Sequence, residues 1–202
     1  SPVQVPAIRG RIGVALSGNL SCVIDNQRAC WGMNFVGGLG GAPDSVISEP
    51  FVIDDPFELE SITSGFRHVC GVSDAAELWC WGYNERGNLG LGHVDPELSI
   101  PSLVRPGVAQ VEAGGDHTCS VDADGKLWCW GYNDSGEVGV PGSEIVTTPL
   151  RPGCEPNNAG NACFDDWKKV GAGAFHTCGI RESGTLYCWG GNFNGQIGLG
   201  PP

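Results

Sequence analysis

Residues 114–139, GGDHTCSVDADGKLWCWGYNDSGEVG, concentrate side chains that do chemistry: His117, Cys119, Cys129, the neighbours Asp116–His117, and the run Asp122-Ala123-Asp124-Gly125. Those types suit four kinds of site. His and Cys ligate zinc, spaced Asp residues open a calcium loop, an Asp–His pair orients a base, and paired Cys exchange electrons. The spacing argues against each. The ten cysteines include no C-x-x-C pair, the spacing that zinc ribbons and thioredoxin-like sites use. After Gly125 the acidic ligands and closing Glu of a calcium loop are missing. Neither a Ser elbow nor an activated Cys accompanies Asp116 and His117, and the glycines do not form a strand-to-helix phosphate loop. His68, His117 and His176 each stand two residues before a Cys. A ring of three His around an axis is one geometry for them; their repetition argues instead for the same structural hydrogen bond inside each unit. The chain reads as non-catalytic, with no metal and no cofactor.

What positions these residues is a repeat. LSCVIDNQRACWGMNFVGGLG (20–40), HVCGVSDAAELWCWGYNERGNLG (68–90), HTCSVDADGKLWCWGYNDSGEVG (117–139) and HTCGIRESGTLYCWGGNFNGQIG (176–198) share one pattern: Cys, an apolar run, a turn, then C-W-G-x-N-x-x-G-x-[LVI]-G. The Trp-Gly steps fall at 31, 81, 130 and 189, and the long last interval contains CEPNNAGNAC (154–163), an insertion with two further cysteines. A Pro-marked stretch is expected to open each unit as a short edge strand: 1–6, 49–53, 100–104 and 148–150. The units are approximately 1–41, 42–92, 93–142 and 143–202, within one repeat domain spanning 1–202. Three or four short strands per unit, with 33 Gly and few charges in 202 residues, predict an all-β propeller. A single blade cannot cover both of its faces, so its neighbours must.

The repeat resembles that of the regulator of chromosome condensation family, whose members fold as β-propellers, and the likeness runs through all four units. The first departs most, with Leu20 where the others have His and Met33 near the Tyr position. The family ring has seven blades, so four units imply either an arc of a larger object or a ring closed at four. One branch of the family senses ultraviolet light through Trp clusters that include a G-W-R-H element. Here GFRHV (65–69) puts Phe66 at that Trp and unit four carries Phe175, which disfavours light sensing.

Hairpin register decides the cysteines. If Cys119 opposes Cys129, then Val121 opposes Leu127, Asp122 opposes Lys126, and Ala123-Asp124-Gly125 is a three-residue loop with Gly at the left-handed position. Cys70–Cys80 and Cys178–Cys188 have the same spacing, and the last leaves the loop Glu182-Ser183-Gly184. Cys22–Cys30 is shorter by two, an even change that keeps both cysteines on one face. Four cross-strand disulfides follow, with Cys154–Cys163 closing the insertion. Each closes a loop worth about 2.5–3 kcal/mol on the chain-entropy account, and together they suit an oxidising compartment: secreted, extracellular, or periplasmic and cell-surface.

The net charge of −12, with 11 Lys and Arg, repels phosphate backbones, so nucleic acid is not an expected partner. No run approaches eighteen apolar residues, so no membrane span is expected. Starting at Ser1 without a signal-peptide pattern, the chain reads as a mature, processed or trimmed product. Asn19 and Asn133 lie in glycosylation sequons. The function expected is a non-catalytic extracellular scaffold that presents propeller loops to a protein partner. Its contact residues are sought first in the insertion, at Asn157, Asn158 and Asn161, and at Trp167 just beyond. The alternative is self-association, a structural protein whose units meet edge to edge in a ring or filament. Guanine-nucleotide exchange, the founding activity of the family, is a third and less favoured reading.

Overall fold

The structure, a computed structural model, describes residues 1, 13–17, 19–24, 28–34, 45–53, 57–154 and 163–200. Their regular structure is entirely strand, in four antiparallel sheets. The first contains β1 (Gly13–Ser17), β2 (Leu20–Ile24), β3 (Arg28–Asn34) and β4 (Ser45–Ile53). The second contains β5 (Leu59–Ser64), β6 (His68–Ser73), β7 (Glu77–Tyr83) and β8 (Glu97–Pro106). The third contains β9 (Val108–Ala113), β10 (His117–Asp122), β11 (Leu127–Tyr132) and β12 (Ile145–Leu150). The fourth has three strands, β13 (Trp167–Ala172), β14 (His176–Arg181) and β15 (Leu186–Gly190).

Each sheet runs in chain order from an inner to an outer strand, and the inner strands pack in succession, β1 on β5, β5 on β9 and β9 on β13. That is the arrangement of propeller blades. No comparable packing joins the fourth sheet to the first among the described residues, so these sheets form an arc and not a ring closed at four. Of the Pro-bearing stretches expected to open each unit, residues 2–6 of the first lie outside the described residues, and the other three belong elsewhere. Pro50, Pro101 and Pro149 lie in β4, β8 and β12, the outer strands of the sheets whose Trp-Gly strands precede them. An edge strand has one unladdered side and tolerates a missing N–H donor. The sequence repeat and the sheet are therefore out of phase by one strand.

The hairpins have the register that their spacing dictates: Cys119 faces Cys129, Val121 faces Leu127, and the Asp122 amide donates to the Lys126 carbonyl. Disulfides join Cys22–Cys30, Cys70–Cys80, Cys119–Cys129 and Cys178–Cys188 across strands, and Cys154–Cys163 at the insertion. The Gly after each Trp has a local reason. Gly82 and Gly131 both have φ of 104°, and a Cβ there would come within 2.7 and 2.6 Å of the carbonyls of Arg67 and Asp116. Only Gly fits a left-handed residue pressed against a neighbouring main chain. The ladder to the outer strand shifts at the same point, between Cys80 and Gly82 and between Cys129 and Gly131.

Every sheet has two unlike faces. One, turned towards the following sheet in the first three, carries the cross-strand disulfide and the His, or Leu20 in its place in the first sheet. The other, turned towards the preceding sheet, carries the residue before the Cys and the Trp of Trp-Gly. The largest apolar core interleaves them, with Cys70, Leu78 and Cys80 of the second sheet, Cys119, Leu127 and Trp130 of the third, and Trp167 and Val170 of the fourth.

Candidate functional site

The residues that invited a chemical reading come together in a relay that crosses from one sheet to the next. His68 Nε2 lies 2.9 Å from Thr118 Oγ1, and the Thr118 hydroxyl donates to the Asn88 carbonyl at 2.9 Å. Because the hydroxyl hydrogen points at that carbonyl, His68 is the donor to Thr118 through Nε2–H. The Asn88 carbonyl also accepts from Trp130 Nε1 at 2.8 Å. One sheet later the pattern recurs with His117 Nε2, Thr177 Oγ1 and the Glu137 carbonyl, which accepts from Trp189 Nε1. The hydrogen bond expected inside each unit thus runs between units, since the His sits on the face that meets the next sheet. Burial pushes His68 down to about 4; burial and the neighbouring His68 and His176 push His117 down to about 3.

Close packing explains the glycine three residues before each His. A Cβ at Gly114 would lie 2.2 Å from His117 Cε1 and 2.6 Å from the Gly173 carbonyl, and Gly65 and Gly173 are crowded by His68 and His176 in the same way. The His68 and His117 imidazoles are packed structural donors. Among the described residues no group of three or more His, Cys, Asp or Glu is placed to hold a metal ion. Asp116 does not orient His117; it accepts from Arg86 at 2.7 Å and from Asn88 Nδ2 at 3.4 Å.

The sequence-predicted contact residues are scattered. Asn157, Asn158 and Asn161 lie outside the described residues. Trp167 is buried in β13 among Phe164, Tyr187 and Trp189, an interior position rather than a surface anchor. Of the sequon asparagines, Asn19 is exposed, while Asn133 is buried. Its Nδ2 donates to the Val140 and Ser143 carbonyls and its Oδ1 accepts from the Val138 amide. An amide held this way is not presented for glycosylation.

Two ends of the arc offer surface. At the hairpin end, where the insertion emerges, the cations are engaged: Arg105 stacks on Trp128 and pairs with Asp122, Arg181 stacks on Phe164 and pairs with Asp166, and Arg151 pairs with Asp165. The opposite end carries a feature that sequence reasoning missed. Phe66, Phe175 and Phe193 are all exposed and touch in edge-to-face pairs, 6.2 Å between Phe66 and Phe175 and 6.5 Å between Phe175 and Phe193. Main-chain bonds fix the loops beneath them: Phe66 N donates to the Gly115 carbonyl, and Gly115 N to the carbonyls of Gly173 and Ala174. Gly115 lies under the Phe66 ring, where a Cβ would come within 2.8 Å. Arg67 and Arg86 stack on Tyr83 and Tyr132 at the same end. The signal in the sequence was the loop before each His, where Phe66 and Phe175 occupy the same turn of different blades.

Models of the regulator of chromosome condensation (RCC1) repeat match residues 76–121 and 124–180, about half of the chain, and a second model of the repeat matches 60–88, 108–137 and 167–196. The chain belongs to the RCC1 repeat family. It is similar to the ultraviolet-B receptor UVR8 of Arabidopsis thaliana, 28% identical over 99% of this chain and 46% of that protein. It is also similar to the probable E3 ubiquitin-protein ligase HERC4 of Homo sapiens, 37% identical over 85% of this chain and 16% of that protein. Among solved structures, yeast RCC1 (Prp20) bound to Kap60 superposes with a TM-score of 0.83 at 23% identity, over 100% of this chain and 49% of that one. A second structure of Prp20 from Saccharomyces cerevisiae, described with its binding properties to Gsp1p and histones, gives 0.82 at 23% identity, covering 100% and 50%. The four sheets are blades of an RCC1-type propeller, and the RCC1-repeat chain spans less than half the length of the curated relatives it matches.

Proposed function

We propose that this RCC1-repeat chain is a non-catalytic protein-binding scaffold working in an oxidising compartment, secreted, at the cell surface or periplasmic. The end bearing Phe66, Phe175 and Phe193 is its docking platform. One observation carries the reading: three exposed phenylalanines from two blades in mutual contact, on loops held by main-chain hydrogen bonds. Exposed aromatics that touch one another on a rigid base are the usual anchors of protein interfaces, because little side-chain freedom is left to lose on binding. Prp20, with the same fold, was solved bound to Kap60, which supports a protein partner as the class. Five disulfides support the compartment. The disulfide-closed insertion, with Asn157, Asn158 and Asn161, is a second contact region within the same reading.

The test compares three chains immobilised with disulfides intact: wild type, Phe66→Ala/Phe175→Ala/Phe193→Ala, and one with 155–162 replaced by a short Gly-Ser linker. A protein retained from the extracellular fraction is titrated against each. Affinity should fall at least tenfold for the triple variant, as for hot-spot aromatics. Unchanged affinity there, with loss in the linker variant, moves docking to the insertion; loss in neither ends the reading. On this reading a small GTPase exchanges nucleotide at its basal rate with the chain in excess.

A further inference from the structure

The hairpin end and the phenylalanine end differ in charge. At the hairpin end carboxylates and cations are matched: Asp122 pairs with Arg105, Asp124 with Lys126, Asp165 with Arg151, Asp166 with Arg181, and Glu182 with Lys168. At the phenylalanine end Arg86 is taken by Asp116 at 2.7 Å, and Arg67 lies on the Tyr83 ring. Glu85, Asp134 and Glu144 stand exposed there, and among the described residues none of them forms an ion pair. Glu144 belongs to this end because its carbonyl accepts from the Asn133 amide. Burial, with Glu85, pushes the Tyr83 phenol up, and burial, with Asp134 and Glu144, pushes Tyr132 up, in both cases against nearby Arg. The surplus charge around the phenylalanines is negative.

One arrangement recurs in this chain: an arginine laid on an aromatic ring, with a carboxylate at its tip. Arg86 lies on Tyr132 and pairs with Asp116, Arg105 on Trp128 with Asp122, and Arg181 on Phe164 with Asp166. Among the described residues, every cation stacked on a ring is an arginine. A planar guanidinium covers a ring and offers its N–H groups to a carboxylate at once, which an ammonium does not. The phenylalanine platform has the rings and the carboxylates without the arginine. In the repeat, Phe175 takes the place of Arg67 and Asp116, Phe193 that of Glu85 and Asp134, and Gly191 that of Tyr83 and Tyr132. The fourth sheet therefore has no such stack of its own, and its phenylalanines stand in line with acids of the second and third. Their exposure is a property of this end of the blades. Phe66 lies between flanking sheets, and Glu85 and Asp134, at the position of Phe193, are exposed with a following sheet in place.

We propose, resting on the docking role argued above, that the phenylalanine platform binds an arginine-rich segment of its protein partner. Guanidinium groups lie on Phe66, Phe175 and Phe193 and pair with Glu85, Asp134 and Glu144. The contact completes between two molecules the stack that the chain builds within itself, and the negative field draws the segment in.

Fluorescence anisotropy with short labelled peptides, added to the oxidised 202-residue chain, tests it. The probes are an arginine-glycine repeat and the same sequence with lysine or glutamate in place of arginine. The arginine peptide should bind, the lysine peptide about fivefold more weakly, and the glutamate peptide not at all. Phe66→Ala/Phe175→Ala/Phe193→Ala and, separately, Glu85→Gln/Asp134→Asn/Glu144→Gln should each weaken the arginine peptide by about tenfold or more. The second should also flatten its salt dependence. Glu58→Gln/Glu60→Gln/Asp74→Asn removes the same charge from exposed positions elsewhere and should bind like wild type. All the substituted side chains are exposed, and thiol titration confirms that the variants keep their disulfides. An arginine peptide that binds no better than the glutamate peptide, or that binds either platform variant as well as wild type, overturns the proposal. The docking role is tested apart from this: a captured partner that needs the phenylalanines but carries no basic segment leaves that role standing and ends this one.

Discussion

At the first sheet-to-sheet interface Leu20 and Val69 share an apolar cluster with Trp81, whereas at the next two a buried His donates to the Thr of the following sheet. The substitution is concerted. Where the His is present, the residue three before it is Gly and the facing residue is Thr; where Leu replaces it, those positions are Ser17 and Val69. The small residue makes room for the imidazole and the hydroxyl satisfies its N–H, so neither requirement survives when the ring is gone. Stacked blades of one fold are thus joined by two interchangeable chemistries. Only one of them answers to protons.

That difference sets the largest expected effect. His68 and His117 are held neutral, with folded pKa values of about 4 and about 3, below the value of about 6.5 expected in the unfolded chain. Protonation therefore favours unfolding. Their contribution is in place above about pH 6.5 and is lost as the pH falls from there towards the folded values, at about 1.4 kcal/mol per pH unit for each His. Between pH 7 and pH 5 the two together should remove about 4 kcal/mol. Denaturant titrations at both pH values check this, with His68→Leu/Thr118→Val as the comparison: recasting the second interface as the first should abolish about half of the acid loss. Equal losses in both proteins would show that the relay is not the acid-sensitive element.

Next in size is Gly114→Ala. Its Cβ would meet both an imidazole and a carbonyl, at 2.2 and 2.6 Å, and neither is the free end of a flexible chain. A loss of about 3 kcal/mol is expected. Ser17→Ala, at the matching position beside Leu20, should change stability by less than about 0.5 kcal/mol. Melting curves of the two variants give the contrast directly, and similar losses would refute the steric account.

Thr118→Val should cost about 2 kcal/mol, because it strands the His68 N–H in a buried site. Adding His68→Leu should recover most of that loss, and the coupling between the two changes measures the relay itself. Additive losses would mean that packing volume, not the hydrogen bond, explains the pairing.

Much of this was legible in the order of residues. The equal Cys spacings fix hairpin register, since an even offset keeps paired side chains on one face, and the structure has Cys119 opposite Cys129 and Cys178 opposite Cys188. Other features were not readable because they depend on which unit lies beside which. A repeated His advertises a repeated bond, but only the stacking shows that Thr118 and Thr177 of the following sheets are its acceptors. The Pro strands, in contrast, follow the preceding Trp-Gly steps by 19, 20 and 19 residues but lie 31, 29 and 40 residues before the next, so the near-constant interval was a signal that Pro50, Pro101 and Pro149 belong with the preceding sheet. Phe66 and Phe175 lie more than a hundred residues apart, and their contact follows from the curvature of the arc.

The smallest effect belongs to residue 76, in a hairpin turn where the blades differ once more. The third and fourth sheets turn through Gly125 and Gly184, with φ of 77° and 85°, while the second turns through Ala76 with φ of 57°. A left-handed conformation brings the Ala Cβ close to its own main chain, at roughly 1 kcal/mol relative to Gly. Against that, Gly loses more freedom on folding, by about 0.5–1 kcal/mol. The two terms nearly cancel, so Ala76→Gly should stabilise by no more than about 0.5 kcal/mol. The reverse change, Gly184→Ala, should destabilise slightly, since Gly184 has nothing within 4 Å of the added methyl. At Gly125 the same substitution should be far worse, because the Asp165 carbonyl would lie 2.6 Å from the new Cβ. Equal melting shifts at 125 and 184 would show that backbone conformation alone, and not the neighbouring strand, sets the preference for glycine.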